Sequence, residues 1–158
     1  MATPGNRTIE PMVGVVVVSH EQVAFSLIEA ARRVVGTIPN IAAACVSAGE
    51  DSVSILHKVA HACSQVDDGA GVLLLVDVYG STPFNVAMTM ADGTRAAEVV
   101  CGVNLPMLLK LATLDRCKLN PALLAAEVQE CGRRAIRIGS ELTGAAQFTV
   151  LVGDEFGI

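Results

Sequence analysis

The sequence predicts a single α/β domain: a doubly wound, mainly parallel sheet with helices on both faces. Three observations predict it. Short continuous apolar runs, such as VVVV at 15–18 and VLLLV at 72–76, read as strands covered on both sides. Segments with apolar residues at helical spacing separate those runs, and a strand–helix alternation builds a parallel sheet. The length of 158 residues suits one domain, and 52% hydrophobic against 17% charged residues supplies a sizeable core and excludes a disordered chain.

Each element follows in order. Residues 1–11 read as a loose leader, without the apolar core of a signal peptide. Met12 to Val18 is the first strand. From Gln22 to Val35 a helix is predicted, with Val23, Leu27, Ala30, Ala31 and Val34 on its apolar face and Gly36 at its end. Ile41 to Val46 is a second strand. Glu50-Asp51-Ser52 opens a helix carrying Ile55, Leu56, Val59 and Cys63 on one face, its acidic start suited to the positive end of the helix dipole. Asp68 to Gly71 turns into a third strand, Val72 to Val76, which ends at Asp77. Gly80-Ser81-Thr82-Pro83 leads into a short helix to about Met90, with Thr82 as its cap. After the turn at Asp92-Gly93-Thr94, Ala96 to Cys101 is a fourth strand and Pro106 to Leu111 a helical turn. Asn120-Pro121 starts a helix, Asn as cap and Pro at the first helical position, with Leu124, Val128, Cys131, Ala135 and Ile138 as its stripe. Gln147 to Val152 is a last strand candidate in a helical and strand tail over 140–158. The domain proper is 12–158.

Composition excludes several functions. Aromatics make up 3% and there is no Trp, so stacking platforms for single-stranded nucleic acid are not expected, and the net charge of -5 opposes binding to phosphate backbones. No apolar run is long enough to span a bilayer. The five cysteines, at 45, 63, 101, 117 and 131, include no CxxC pair and fit no zinc framework or secreted disulfide scaffold. They read as small reduced hydrophobes in a cytoplasmic protein. No nucleotide-binding glycine motif is found, and no metal or other cofactor is expected.

In an open α/β sheet, ligands bind outside the carboxyl ends of the strands. Ser19-His20 ends the first strand and Asp77 the third, so both fall on that edge. A neutral imidazole nitrogen is a nucleophile near pH 7, a carboxylate can hold the other ring N–H, and a helix N-terminus offers backbone N–H groups to an anion. Together they make a phosphoryl site. A strand-end histidine and a Ser-Thr-Pro helix start also have ordinary structural readings. His57 and His61, spaced i, i+4, share a polar helix face without a third ligand near them in sequence, and read as solvated. Glu127, Glu130, Arg133, Arg134 and Arg137 read as a solvated face with i, i+4 pairs.

The segments VVVVSH at 15–20, GVLLLVDVYGSTPFNVA at 71–87 and GVNLPMLLKL at 102–111 resemble the mannose-family IIA component of the bacterial phosphoenolpyruvate:sugar phosphotransferase system. The likeness covers roughly residues 12 to 140. It implies a doubly wound α/β fold in which His20 takes a phosphoryl group from phospho-HPr and passes it to a IIB component. It implies that Asp77 orients the imidazole and that Thr82 lies beside the phosphoryl group. Ser19, Gly80 and Ser81 are then the phosphoryl-binding neighbours, and Glu21, Asn104 and Pro106 belong to the loops that face the site and its partners. The resemblance further implies a homodimer in which a C-terminal antiparallel strand adds to the partner's sheet, and association with a membrane only indirectly, through a permease.

Two departures from the family pattern stand out. Glu21 occupies the position after the histidine where the family has Gly, and Gly80-Ser81-Thr82 replaces Gly-Gly-Ser. An inward Glu21 would repel a phosphoryl group, whereas an outward one would favour the first turn of the helix dipole. Ser81 replaces a glycine that admits positive φ and close backbone approach. Beside the sugar-transport carrier stand two alternatives: a phosphodonor domain for a dihydroxyacetone kinase, and a regulatory interaction module that transfers nothing.

Overall fold

The valines after Gly14 form β1 (Gly14–His20), buried as far as Ser19 and exposed at His20. The computed structural model describes residues 10–92 and 96–142. Along the chain follow α1 (Val23–Val35), β2 (Ile41–Val46), α2 (Ser52–Val66), β3 (Val72–Val76), α3 (Thr82–Ala91), β4 (Ala97–Cys101), α4 (Leu105–Leu111) and α5 (Pro121–Arg134). Short 3-10 turns occupy Arg116–Lys118 and Gly139–Glu141. The strand candidate at 147–152 and most of the tail lie outside the described residues.

The four strands are parallel in the order β2-β1-β3-β4. The register sets His20 opposite Val46, Val18 opposite Val76, and Val76 opposite Cys101. Because side chains alternate across a strand, Val15 and Val17 point to one face and Val16 and Val18 to the other. On the first face, under α1, α4 and α5, they meet Ile28, Leu108 and Leu124. On the second, under α2 and α3, they meet Ile55, Val59 and Val86. Burial on both faces explains why β1 and β3 are uninterrupted apolar runs. No helix among the described residues is long and apolar enough to cross a membrane.

The cap predicted at Asn120 holds, and Asp51 and Asn104 cap their helices as well. Asp51 accepts from Val53 N and Ser54 N at 3.0 Å each, and those donors together with the Ser54 hydroxyl pull its carboxyl below the ordinary range. Asn104 caps α4 through Met107 N, and Asn120 caps α5 through Leu123 N with Pro121 at the first position. The buried face of α1, however, is Ala24, Ile28 and Ala31, so the expected stripe is rotated and Val23 and Val34 are exposed. In α5 the stripe closes on Gly132 rather than reaching Ile138. The helix ends at Arg134 and leaves Ile138 in solvent. Gly132 is demanded by close approach, since a Cβ there would lie 2.4 Å from the Met107 side chain. β1 also starts and ends two residues later than the apolar run suggests, which makes Ser19 and His20 part of the strand.

After β1 the chain winds to β2 on one side, then crosses back to β3 on the other. The winding direction reverses between β1 and β3, and at such a point the loops part to leave a crevice at the carboxyl edge. His20 ends β1 and Asp77 follows β3, so both stand at that point.

Candidate functional site

His20 is the last residue of β1, and its side chain is 48% exposed. Its Nδ1 lies 3.0 Å from Asp77 Oδ2, and its backbone N–H donates to the same oxygen at 2.8 Å. The other oxygen, Oδ1, accepts from Val78 N at 2.8 Å. An ionised carboxylate only accepts, so the neutral ring in this contact carries its proton on Nδ1 and has its lone pair on Nε2. Nε2 has no hydrogen-bond partner among the described residues. Asp77 itself is well covered, at 14% exposure. The carboxylate is therefore a fixed base plate, and the ring is the accessible part.

The backbone around Asp77 is pinned from several directions. Asp77 N donates to Val18 O, and Gly102 N and Val103 N both donate to Val76 O at 2.8 and 3.0 Å. This ties the loop after β4 to the end of β3. Burial pushes the Cys101 thiol upward against a Gly102 backbone hydrogen bond, with a smaller push in the same direction from the charge of Asp77. A raised thiol is a poor nucleophile.

The residues after Asp77 turn through Val78, Tyr79 and Gly80 into α3. Gly80 holds φ +74° with open space where a Cβ would stand, so conformation rather than room calls for glycine. Ser81, not Thr82, caps the helix. Its Oγ accepts from Phe84 N at 3.3 Å and donates to Val78 O at 2.7 Å. Thr82 is the first helical residue, exposed, with no side-chain hydrogen bond among the described residues. Both residue types favour caps, and Pro83 fits the first or the second helical position, so sequence alone could not choose between them.

Three other expected neighbours take different places. Ser19 is fully buried; its Oγ accepts from Ala24 N at 2.6 Å and donates to His20 O, so its hydroxyl serves the turn into α1 and is withdrawn from the site surface. Asn104 and Pro106 start α4 on the carboxyl edge, where Asn104 Nδ2 also donates to Gly132 O, binding α4 to α5. Glu21 is neither inward nor part of the helix dipole. It precedes the cap residue Gln22, and its Oε1 accepts from Ala48 N at 2.9 Å on the β2 side. His57 and His61 are exposed on α2, outside this cluster.

The residue reading passed over the apolar rim. Val78 is 52% and Tyr79 80% exposed directly after Asp77, and the Tyr79 ring leans on Phe84 with centroids 4.9 Å apart. Val23 and Phe25 are exposed in the first turns of α1, on the same edge. The available signal was two large apolar residues, Val78 and Tyr79, inside a turn of small ones.

The fold and site define a flavodoxin-like α/β domain that presents a carboxylate-oriented histidine at its topological switch point, beside a helix N-terminus. The family model of the PTS system fructose IIA component matches residues 14–128. The chain belongs to that family. The mannose-specific EIIAB component of Escherichia coli K12 is 30% identical over 127 residues, which is 79% of this chain and 39% of that protein. The chain thus spans about two fifths of the length of that relative. The fructose-specific EIIA component of Bacillus subtilis is 29% identical over 103 residues, 65% of this chain and 70% of that protein. The solved mannose/sorbose specific IIA subunit of the phosphotransferase system from Enterococcus faecalis shares the fold, with a TM-score of 0.71 at 28% identity over 80% of this chain and 94% of that one.

Proposed function

We propose that the chain is a cytoplasmic phosphoryl carrier of a sugar phosphotransferase system. His20 accepts a phosphoryl group from phospho-HPr and gives it to a IIB component, for sugar uptake or its regulation. The observation that carries this reading is the 3.0 Å contact between His20 Nδ1 and Asp77 Oδ2, with Nε2 unpartnered and the ring half exposed. Nε2 would attack phosphorus as the phosphorus–nitrogen bond of the donor breaks. The donor histidine leaves with its lone pair, and His20 keeps its Nδ1 proton on Asp77. Positive charge that develops on the ring is balanced by that carboxylate. The second transfer reverses these steps on a IIB side chain. Catalysis here is mostly positioning and electrostatics, as elsewhere in phosphoryl transfer.

The start of α3 supports the reading. Its first N–H groups and the unengaged Thr82 hydroxyl are candidates to hold the phosphoryl oxygens. The exposed Val23, Phe25, Val78 and Tyr79 suit a protein donor, because a protein has to be docked as well as its phosphoryl group received. The test is incubation with phosphoenolpyruvate, Enzyme I and HPr. Acid-labile, base-stable label on the chain is expected. An unlabelled wild-type chain would overturn the reading and favour an interaction module.

The same reading includes a homodimer. β4 is half-buried and pairs on only one side among the described residues, and a free edge in a chain whose mean hydropathy is +0.53 favours pairing. Sedimentation is expected to give a dimer at micromolar concentration, weakened by truncation after Ser140. A monomer throughout would refute it.

A further inference from the structure

Glu21 follows the site histidine and carries φ +46°, one of two non-glycine residues with positive φ among those described. A left-handed backbone under a long side chain is uncommon and persists where surrounding contacts over-determine it. The contacts are present. Glu21 N–H donates to Val46 O at 2.8 Å, continuing the pairing of β1 with β2 past its last register position. Glu21 Oε1 accepts from Ala48 N at 2.9 Å.

The loop that receives this side chain is braced independently. Glu50 Oε1 accepts from Ser47 N at 2.8 Å. Lys58 Nζ, on α2, donates to both Glu50 oxygens at 2.7 and 2.8 Å and to Cys45 O at 2.6 Å. The segment 47–50 is thus fastened to both β2 and α2. Glu21 reaches from the site histidine to that frame.

His20 is therefore held from two sides. From β3, Asp77 takes its backbone N–H and its Nδ1. From β2, Glu21 fixes the peptide that follows. We propose that Glu21 is a positioning residue for the phosphoryl acceptor: its carboxylate clamps the turn after β1 to the braced loop at Ala48, so that the imidazole is presented to its partners in one orientation. This rests on the reading of His20 as acceptor. The clamp needs an oxygen acceptor at the end of a side chain of this length, and net charge is secondary to it. Glutamine meets that need; alanine and glycine do not.

The experiment compares wild type with Glu21→Gln, Glu21→Ala and Glu21→Gly in the full chain. It measures single-turnover transfer from phospho-HPr, amide exchange at Ala48, and the NMR shifts of the His20 ring nitrogens. Glu21→Gln is expected to keep the Ala48 amide protected, one Nδ1–H tautomer, and a transfer rate within about threefold of wild type. Glu21→Ala and Glu21→Gly are expected to expose the Ala48 amide and mix the tautomers. Their saturated transfer should slow about tenfold while the donor concentration for half-saturation stays unchanged. Wild-type tautomer and rate in Glu21→Ala overturn the proposal, and so does Glu21→Gln behaving like Glu21→Ala. If wild type takes no label, the acceptor reading fails, while the ring shifts and the Ala48 exchange still decide the clamp.

Discussion

The two edges of the sheet carry polar clusters built on opposite terms. At the amino edge, Arg116 is 3% exposed, and its guanidinium donates to three backbone carbonyls: Val13 O at 2.9 Å, Asn40 O at 3.4 Å, and Pro39 O. Burial pushes the guanidinium below its ordinary value. Nearby, Asp68 takes Met12 N at 3.0 Å and Asn40 Nδ2 at 3.1 Å. At the carboxyl edge, Asp77 is saturated in the same manner, yet His20 Nε2 and the Thr82 hydroxyl are left over. The amino-edge cluster spends its hydrogen-bonding capacity on the chain itself and closes the fold. The carboxyl-edge cluster withholds part of that capacity and presents it to solvent. A cleft of about 140 Å³ beside Arg116, lined by Met12, Pro39, Leu111 and Cys117, lies at the closed edge.

The sharpest way to break the comparison is to delete the withheld groups. His20→Ala is expected to abolish acid-labile labelling, while His57→Ala/His61→Ala labels like wild type. Label remaining on His20→Ala would move the acceptor elsewhere. Asp77→Asn comes next. It keeps the shape but offers one acceptor oxygen where the carboxylate serves three donors, and it can leave the ring in the wrong tautomer. Transfer should slow by roughly 10²- to 10⁴-fold, the scale on which acid–base and orienting groups act. A rapid-quench rate within a few-fold of wild type would show that Asp77 only shapes the loop.

Arg116→Met reverses the pattern. It leaves the carbonyls at 13 and 39 without their guanidinium donor, while Asn40 O keeps Val15 N–H, and unfolding in urea should show a loss of ~2–4 kcal/mol. Transfer per folded molecule should be unchanged. Slower transfer at full folding would mean that the two edges communicate, against the division drawn above.

How much of this division was legible in the sequence depends on the residue. β1 and β3 are continuous apolar runs because both faces are covered, so the sheet and its carboxyl edge were readable, and with them the places of His20 and Asp77. The face of α1 was not. Val23 and Val34 look like core, yet their side chains fall outside the contact with the sheet and α4, which Ala24, Ile28 and Ala31 make instead. Small residues there let the helix sit close, and spacing alone does not weigh size. Arg116 gave no signal, because its partners are backbone carbonyls brought together only by folding. The left-handed turn at Glu21 was hidden for a similar reason: φ follows from the bonds to Val46 and Ala48, both remote in sequence.

The finest contrast lies within one dipeptide. Ser81 and Thr82 are adjacent hydroxyl residues at the start of α3, and either could have been the cap. In the structure Ser81 spends its hydroxyl on Phe84 N and Val78 O, whereas Thr82 leaves its own unengaged. If the division between closing and withholding holds at this scale, the two substitutions separate. Thr82→Val removes one unpartnered hydroxyl and keeps the branched shape, so stability should stay within ±0.5 kcal/mol, as for ordinary surface changes. Transfer should then slow about tenfold, the scale of one hydrogen bond of about 1.4 kcal/mol to a developing charge. Ser81→Ala should do the converse, lowering stability by about 1 kcal/mol through the lost cap while transfer changes only a few-fold. Urea midpoints and single-turnover rates on the same two preparations decide it. An exchange of these outcomes, with Ser81→Ala slow and stable, would mean that Ser81 turns outward when the phosphoryl group arrives and that the cap is given up to hold it.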